Sequence, residues 1–325
     1  MRSKSVFLAI GFILCSCACR SRPIGNEVET KLPPKKTAYS LRPELKRFDK
    51  KSPNPTFDYL LQHSIPQREI ESRCLQLRKQ LDSSFVIESI GPFVMVTNLR
   101  SEELDELKDF TIKASFNALY RDYFDTIPDK IYTLYIFKDH ADYLNYSRKL
   151  LDESPTTPYG YYRYDKAAVV VNYSSGRGTL VHEMIHALLD IDFPAAPTWF
   201  NEGFASLFEQ SELSEGRICG LYNWRFDILK EAIVSNNTIR LKQLLGTTTE
   251  EFYDDKDGRK YAEARFVCYF LQEAGLLKKF YEEFRKNVAN DPTGEATLQA
   301  VTGKTLEELE KEIFSSVLKR NYVDR

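Results

Sequence analysis

The chain has 325 residues, 42% of them hydrophobic and 28% charged, and a formal net charge of −2 at pH 7. These values are ordinary for a globular protein with one large or two small domains. Nucleic-acid-binding proteins usually carry an excess of Lys and Arg, so the balanced charge does not favour that class of function. We therefore expect no nucleic-acid partner.

Residues 1–19 have the pattern of a secretory signal peptide. Basic residues precede an apolar run, residues 6–14, that is too short for an ordinary membrane span. Leu14, Ser16 and Cys17 then resemble a bacterial lipobox. We expect Cys17 to be lipidated and to anchor the chain to a membrane of the bacterial cell envelope. Plain cleavage, giving a periplasmic or secreted protein, stays open, and both alternatives predict export.

Residues 20–56 are predicted to be a tether. Pro recurs through the segment, apolar residues are sparse, and Lys and Arg outnumber the acidic residues. Such a composition does not supply the apolar surface that a packed core requires. A basic segment beside a lipid anchor can rest on anionic headgroups, but a solvated linker is the default interpretation. The folded domain is expected over residues 57–325.

Hydrophobic periodicity predicts alternating helices and strands in the first part of this domain. They are a helix over 68–81, paired strands over 85–90 and 93–97, a helix over 101–124, a strand over 131–137 and a helix over 139–151. The helix over 101–124 has apolar residues at helical spacing, namely Leu104, Leu107, Phe110, Ala114 and Ala118.

Two further strands are predicted over residues 159–164 and 167–172. The second ends shortly before the most informative helix of the chain. A strand in that place could offer an open edge to an extended peptide, which would bind as an added strand. The alternative is that residues 169–171 simply belong to the core, and the two interpretations are compatible.

The informative helix contains the motif His182-Glu183-Met184-Ile185-His186. Residues four apart lie on the same face of a helix, so His182 and His186 would present two imidazoles to one metal ion. Glu183 would lie near a water bound to that ion and could accept its proton. This is the HExxH arrangement of zinc metalloproteases. The alternative is that the two His residues only pack or face solvent.

A catalytic zinc site needs a third protein ligand and an open position for water. The candidate is Glu202, which lies 16 positions beyond His186 on a helix predicted over residues 199–209. A loop with two Pro residues separates it from the HExxH helix, which is expected to end at Asp190. Asp190 and Asp192 are rival carboxylates, and Asp190 could instead hydrogen-bond a ligand imidazole.

These segments together resemble the gluzincin metallopeptidases, in particular the peptidase MA-like group of many bacterial secreted proteins. The resemblance covers the HExxH helix, the segment Gly160-Tyr161-Tyr162, and residues 199–205, whose sequence Trp-Phe-Asn-Glu-Gly-Phe-Ala matches the family pattern W-x-x-E-G-[LF]-A. It extends more weakly to residues 261–271. Several gluzincins carry an acidic residue one turn after the ligand Glu, and this chain has Ser206 there, a weaker acceptor.

The resemblance implies an α+β, zincin-like fold. A mixed α/β N-terminal lobe would cover about residues 57–190, an α-helical C-terminal lobe about residues 191–325, and the active-site cleft would lie between them. Five helices are predicted after residue 220, over 221–234, 241–245, 260–274, 277–286 and 306–318. Cys74, Cys219 and Cys268 are far apart in the sequence, and the pairing of two of them stays open.

The resemblance also implies one Zn²⁺ ion held by His182, His186 and Glu202, with Glu183 as the general base. A Tyr or His on the helical lobe would stabilise the developing oxyanion. No His follows His186, and Tyr261 matches by its position in the resembling segment. Packing against a helix is the alternative role for Tyr261.

The resulting hypothesis is an exported zinc metallopeptidase that hydrolyses a peptide or protein substrate with a zinc-bound water and Glu183. The alternative is a cell-surface binding protein that keeps the fold without turnover. Glu183 argues against it, because holding zinc does not require a general base. A coincidental HExxH in an unrelated protein is disfavoured by Glu202 and its neighbours.

Overall fold

The computed structural model describes residues 65–320, which form an α+β fold with a five-stranded mixed sheet and many helices. The predicted signal peptide, Cys17 and the tether lie outside the described residues. Within residues 65–320, no helix combines the length and apolar character needed to cross a membrane. Cys74, Cys219 and Cys268 are free thiols in this part of the chain.

The first part of the described chain contains the sheet. Its elements are α1 (Gln67–Arg78), β1 (Val86–Ile90), β2 (Phe93–Thr97), α2 (Ser101–Glu106), a π-helix (Leu107–Lys113), α3 (Ala114–Asp122), β3 (Tyr132–Phe137), α4 (His140–Leu151), β4 (Gly160–Arg163), β5 (Ala168–Asn172) and α5 (Arg177–Asp192). These elements agree with the predicted strands and helices to within a few residues at their ends, except that a π-helix interrupts the helix predicted over residues 101–124.

The second part is mostly helical. Its elements are α6 (Thr198–Leu207), β6 (Ser211–Ser214), β7 (Arg217–Gly220), α7 (Arg225–Val234), α8 (Leu241–Leu245), α9 (Thr249–Tyr253), α10 (Arg259–Glu273), α11 (Leu277–Asn287), α12 (Glu295–Thr302) and α13 (Leu306–Leu318). The β6–β7 hairpin was not predicted. Its strands have four residues each and one exposed face, so they carry little hydrophobic pattern.

The sheet has the strand order β1-β2-β3-β5-β4. Strands β2, β3 and β5 are parallel, whereas β1 and β4 pair antiparallel to their neighbours. All residues of β3 and β5 are buried, because helices cover both faces of the sheet. Val169 and Val171 face the cluster that includes α5, and Val170 faces the cluster that includes α1 and α4.

The strand order corrects the prediction of an open edge on the strand that precedes the HExxH helix. That strand, β5, is interior and pairs on both sides, with β3 and β4. The edge strand is β4, which lies antiparallel to β5 with Gly160 opposite Val171. Local sequence pattern does not determine the order of strands in a sheet, so the edge was assigned to the wrong strand.

The helix predicted over residues 101–124 contains the π-helical segment Leu107–Lys113, which shifts its buried face. Its wider turn places Thr111 and Ile112 in the core. Phe110, which helical spacing placed on the buried face, is 70% exposed. The cause is the extra residue in the π-helical turn, which displaces the apolar stripe by one position. This segment packs on the face of the sheet that α5 also covers.

The end of α5 is held by a buried ionic cluster. Asp192, the last residue of α5, accepts hydrogen bonds from the backbone N–H groups of Asp125 and Thr126 at 3.0 and 2.8 Å, and from the Tyr281 hydroxyl at 2.7 Å. The Arg285 guanidinium contacts Asp192 and donates two hydrogen bonds to Asp125, at 2.9 and 2.7 Å. The cluster ties the HExxH helix to α11 and to the segment before β3.

We predict that Arg285→Met destabilises the protein by roughly 3–5 kcal/mol, because Asp125 and Asp192 would stay buried without their cation. Urea unfolding followed by circular dichroism measures the free energy of unfolding. Arg217→Met is the matched control, since Arg217 is exposed and its 3.7 Å ion pair with Asp122 lies at the surface. Equal stability of the two variants would contradict the assigned role of the cluster.

Candidate metal centre

Helix α5 carries the two imidazoles of the centre. His182 and His186 are one turn apart and both are buried, and their Nε2 atoms lie 2.9 Å from each other. The two rings are nearly perpendicular, with an interplanar angle of 82°. The Nε2 atoms therefore point to a common position beside the helix, as the sequence spacing predicts.

Helix α6 brings the carboxylate of Glu202 to the same position. Glu202 Oε2 lies 3.5 Å from His182 Nε2 and 3.6 Å from His186 Nε2. Glu202 is buried, and the next helix turn begins with Ser206, whose hydroxyl hydrogen-bonds the Glu202 carbonyl oxygen. Among residues 65–320, these three residues form the group of His, Cys, Asp and Glu side chains that could hold a metal ion.

The spacing of the three ligand atoms fits a small divalent metal ion. A triangle with sides of 2.9, 3.5 and 3.6 Å has a circumradius of about 1.9 Å, so one point can lie ~2.0–2.2 Å from all three atoms. That distance is the usual bond length from imidazole nitrogen and carboxylate oxygen to an ion such as zinc.

The other nitrogen of each imidazole contacts an acceptor on or just after α6. His186 Nδ1 hydrogen-bonds Asn201 Oδ1, and Asn201 Nδ2 lies 3.4 Å from the Tyr164 hydroxyl. Because the Asn201 oxygen accepts a hydrogen bond from the Nδ1–H group, the neutral His186 ring keeps its Nε2 lone pair for a metal ion. The sequence pattern did not predict this role for Asn201.

Glu209 performs the corresponding role for His182. Its Oε1 lies 3.0 Å from His182 Nδ1, although the contact departs from ideal hydrogen-bond directions. The carboxylate is held by Arg225 Nη2 at 2.8 Å and by Asn223 Nδ2 at 3.2 Å. Ser206, one turn after Glu202, is not acidic. The acidic partner of a candidate ligand imidazole is instead Glu209, seven residues after Glu202.

Gly178 explains why Glu209 reaches His182. Gly178 lies on the same face of α5 one turn before His182, and a Cβ there would be only 1.9 Å from the Glu209 carbonyl oxygen. A larger residue would push the end of α6 away from α5. This contact could not be identified from the sequence, because it depends on how closely the two helices pack.

The rival carboxylates have other partners. Asp190 Oδ2 accepts hydrogen bonds from Lys130 Nζ at 3.0 Å and from the Tyr162 hydroxyl at 2.9 Å, and Asp192 belongs to the ionic cluster described above. Neither belongs to the group that could hold a metal ion. Helix α5 also continues to Asp192, two residues beyond its predicted end.

The electrostatics of the centre favour a cation. Burial alone would lower the pKa of His182, but the carboxylates of Glu202 and Glu209 raise it to about 10. Burial would raise the pKa of Glu202, yet the imidazoles of His186 and His182 lower it to about 2. The carboxylates of Glu183, Glu202 and Glu209 thus surround two imidazoles, and a divalent ion would balance their charge.

Glu183 lies beside the ligands on α5 and is 6% exposed. Burial raises its pKa to about 8; the nearby Glu202 and Glu209 contribute to the rise, and His182 opposes it. The edge strand β4 passes directly over this side chain, because a Cβ on Gly160 would lie 3.0 Å from Glu183 Cγ. The general base predicted from the motif therefore lies against the edge strand of the sheet.

Two tyrosines of the helical part lie near Glu202. The Tyr253 hydroxyl donates a hydrogen bond to Glu202 Oε1 at 2.6 Å. Tyr261, the residue predicted to stabilise an oxyanion, packs its ring 5.0 Å from that of Phe252 and 5.3 Å from the Arg225 guanidinium carbon. Burial, followed by the charge of Glu202, raises the pKa of both hydroxyls well above the ordinary tyrosine value.

Helix α10, which carries Tyr261, is joined to the end of α6 by Arg265. The fully buried Arg265 donates from Nε to the Ser206 carbonyl at 2.9 Å and from Nη2 to the Leu207 carbonyl at 3.3 Å. These carbonyls end α6 and lack partners within the helix. The contact fixes α6, and hence Glu202, against the helical part.

Comparison with known proteins adds no family assignment. No protein-family model matches the chain, and no curated protein matches it significantly.

We predict that Glu209→Gln lowers the affinity for a divalent metal ion about 10–100-fold, because the amide is a weaker acceptor for the His182 N–H. Competition with a chromophoric chelator measures this affinity. Glu212→Gln makes the same change at an exposed position on β6 and is the matched control. Equal affinities of the two variants would show that Glu209 does not support His182.

Proposed function

We propose that the chain is a zinc-dependent metallopeptidase of the gluzincin type. The observation that carries this proposal is the convergence of His182 Nε2, His186 Nε2 and Glu202 Oε2 on one point, with the buried Glu183 next to His182 on the same helix. Two imidazoles and one carboxylate form a ligand set that catalytic zinc uses, and three protein ligands leave one position open. Asn201 and Glu209, which lie at the Nδ1 atoms of the two imidazoles, support the same assignment.

Zinc in such a site supplies a Lewis acid that polarises the scissile carbonyl and makes water more acidic. Glu183 would accept the proton of the attacking water and pass it to the leaving amine. Its carboxylate is buried, and burial makes it a stronger base once it is deprotonated. Metal binding alone does not require a carboxylate at position 183. The presence of Glu183 therefore favours an enzyme over a non-catalytic binding protein.

The edge strand β4 is the part of the sheet that could bind an extended peptide. It pairs with β5 on one side only, and its first residue, Gly160, lies against Glu183. A peptide added to the open side of β4 would gain backbone hydrogen bonds and would pass near the general base. We infer that the substrate backbone aligns with β4, rather than with β5 as the sequence suggested.

Tyr261 remains our choice for the residue that stabilises the developing oxyanion. It lies on α10, in the segment that resembles the gluzincins, and its hydroxyl is close enough to Glu183, Glu202 and Glu209 for their charges to raise its pKa. The raised pKa keeps the hydroxyl protonated, as a hydrogen-bond donor must be. Arg225 beside its ring holds it in place.

The expected cellular location and membrane association of the protein are inferred from the sequence of residues that lie outside the described range. The signal peptide and Cys17 suggest an exported protein anchored in the bacterial cell envelope, or otherwise a periplasmic or secreted one. The substrate would then be a peptide or protein outside the cytoplasm.

We predict that Glu183→Gln keeps about one zinc ion per chain but lowers peptide hydrolysis 100-fold or more, because the amide cannot accept the proton. Glu202→Ala is expected to lose the zinc. Metal analysis and cleavage of a fluorogenic peptide library measure the two properties. A chelator should abolish the wild-type activity and added Zn²⁺ should restore it.

Undiminished cleavage by Glu183→Gln would contradict its role as the general base. Zinc retention without cleavage of any peptide by the wild type would instead support the alternative of a non-catalytic binding protein.

A further inference from the structure

The two carboxylate oxygens of Glu202 have different surroundings. Oε2 faces the two imidazoles, at 3.5 Å from His182 Nε2 and 3.6 Å from His186 Nε2. Oε1 accepts the Tyr253 hydroxyl at 2.6 Å, a distance typical of a short, charge-assisted hydrogen bond. One oxygen is therefore directed to the metal position, and the other is already bound to the protein.

The position of the Tyr253 hydroxyl is set by the short helix α9. Thr248 begins this helix with a capping box in which its hydroxyl accepts the Glu251 N–H and its own N–H donates to the Glu251 carboxylate. The Thr249 hydroxyl lies 2.8 Å from that of Thr198, the first residue of α6. Helix α9 is thus tied to the helix that carries Glu202.

The ring of Tyr253 is oriented by its neighbours. Phe252 is fully buried, whereas Tyr253 is 41% exposed and extends its hydroxyl inward to Glu202. Tyr261 lies nearby, but its ring packs on Phe252 and Arg225. The two tyrosines therefore occupy different positions in the centre, and the described contacts join only the Tyr253 hydroxyl to the ligand carboxylate.

We propose that Tyr253 is a positioning residue that restricts Glu202 to one coordinating oxygen. This inference rests on the metal site of the proposed function. A carboxylate can bind a metal ion through one or both oxygens, and a second oxygen would add a fifth ligand in the position into which a catalytic site expands during the reaction. The hydroxyl of Tyr253 holds Oε1 away from that position.

The test uses the full chain loaded with Co²⁺, whose visible absorption is stronger in four-coordinate than in five-coordinate sites. Tyr253→Phe removes only the hydroxyl and keeps the half-exposed ring, so folding is preserved. Tyr261→Phe removes a hydroxyl from the same centre and is the matched control for the absorption spectrum and the metal affinity, but not for hydrolysis, in which Tyr261 has its own proposed role. Chelator competition and peptide hydrolysis are measured on the same samples.

We expect the wild type and Tyr261→Phe to give the strong four-coordinate spectrum. Tyr253→Phe should lose about half of that absorption, because the freed Oε1 adds a fifth ligand. Its kcat should fall about 10-fold with little change in KM, since the position for a fifth ligand is already occupied while the substrate-binding edge is intact.

A wild-type spectrum in Tyr253→Phe would overturn the role of Tyr253 and leave the proposed metallopeptidase function intact. Failure of the wild type itself to bind Co²⁺ or Zn²⁺ would overturn both. An equal loss of absorption in Tyr261→Phe would show that the effect is not specific to the Tyr253 hydroxyl and would also count against the inference.

Discussion

The meeting of Glu202 with His182 and His186 is the interaction on which the rest of the centre depends. Burying a carboxylate between two imidazoles is costly unless a charge or a set of hydrogen bonds compensates it. The ligand atoms come from two helices, α5 and α6, whose relative position must be fixed to within a few tenths of an ångström. Much of the surrounding structure contributes to that requirement: Gly178 sets the approach of the helices, Arg265 closes the end of α6, and the Asp192 cluster holds the end of α5.

Helix α6 and the residues just after it contribute the carboxylate of Glu202 and a partner for each of the two imidazoles. Asn201 hydrogen-bonds the His186 ring, Glu202 faces both Nε2 atoms, and Glu209 lies beside the His182 ring. A displacement of α6 would therefore disturb both imidazoles and the carboxylate together. Arg225 connects this group to the helical part through Glu209 and through the ring of Tyr261. The geometry of the candidate metal centre and the position of Tyr261 are coupled through these contacts.

The sequence was most informative where function depends on local spacing. His182, Glu183 and His186 are fixed by the helical repeat, and Glu202 lies in a distinctive segment at a suitable distance. Glu209 could not be identified in this way, because its contact with His182 requires the close approach at Gly178. Tyr253 lies 51 positions from Glu202 on a helix of five residues, too short to show periodicity. The strand edge was assigned to β5 instead of β4 because strand order depends on long-range pairing.

The most direct measurement is anomalous X-ray diffraction from crystals of the zinc-loaded chain, with data collected on both sides of the zinc absorption edge. Our account predicts one strong anomalous peak, ~2.0–2.2 Å from His182 Nε2, His186 Nε2 and Glu202 Oε2. The Glu183 carboxylate should lie beside the peak without being a ligand. A peak near Asp190 or Asp192, or no peak between α5 and α6, would contradict the account.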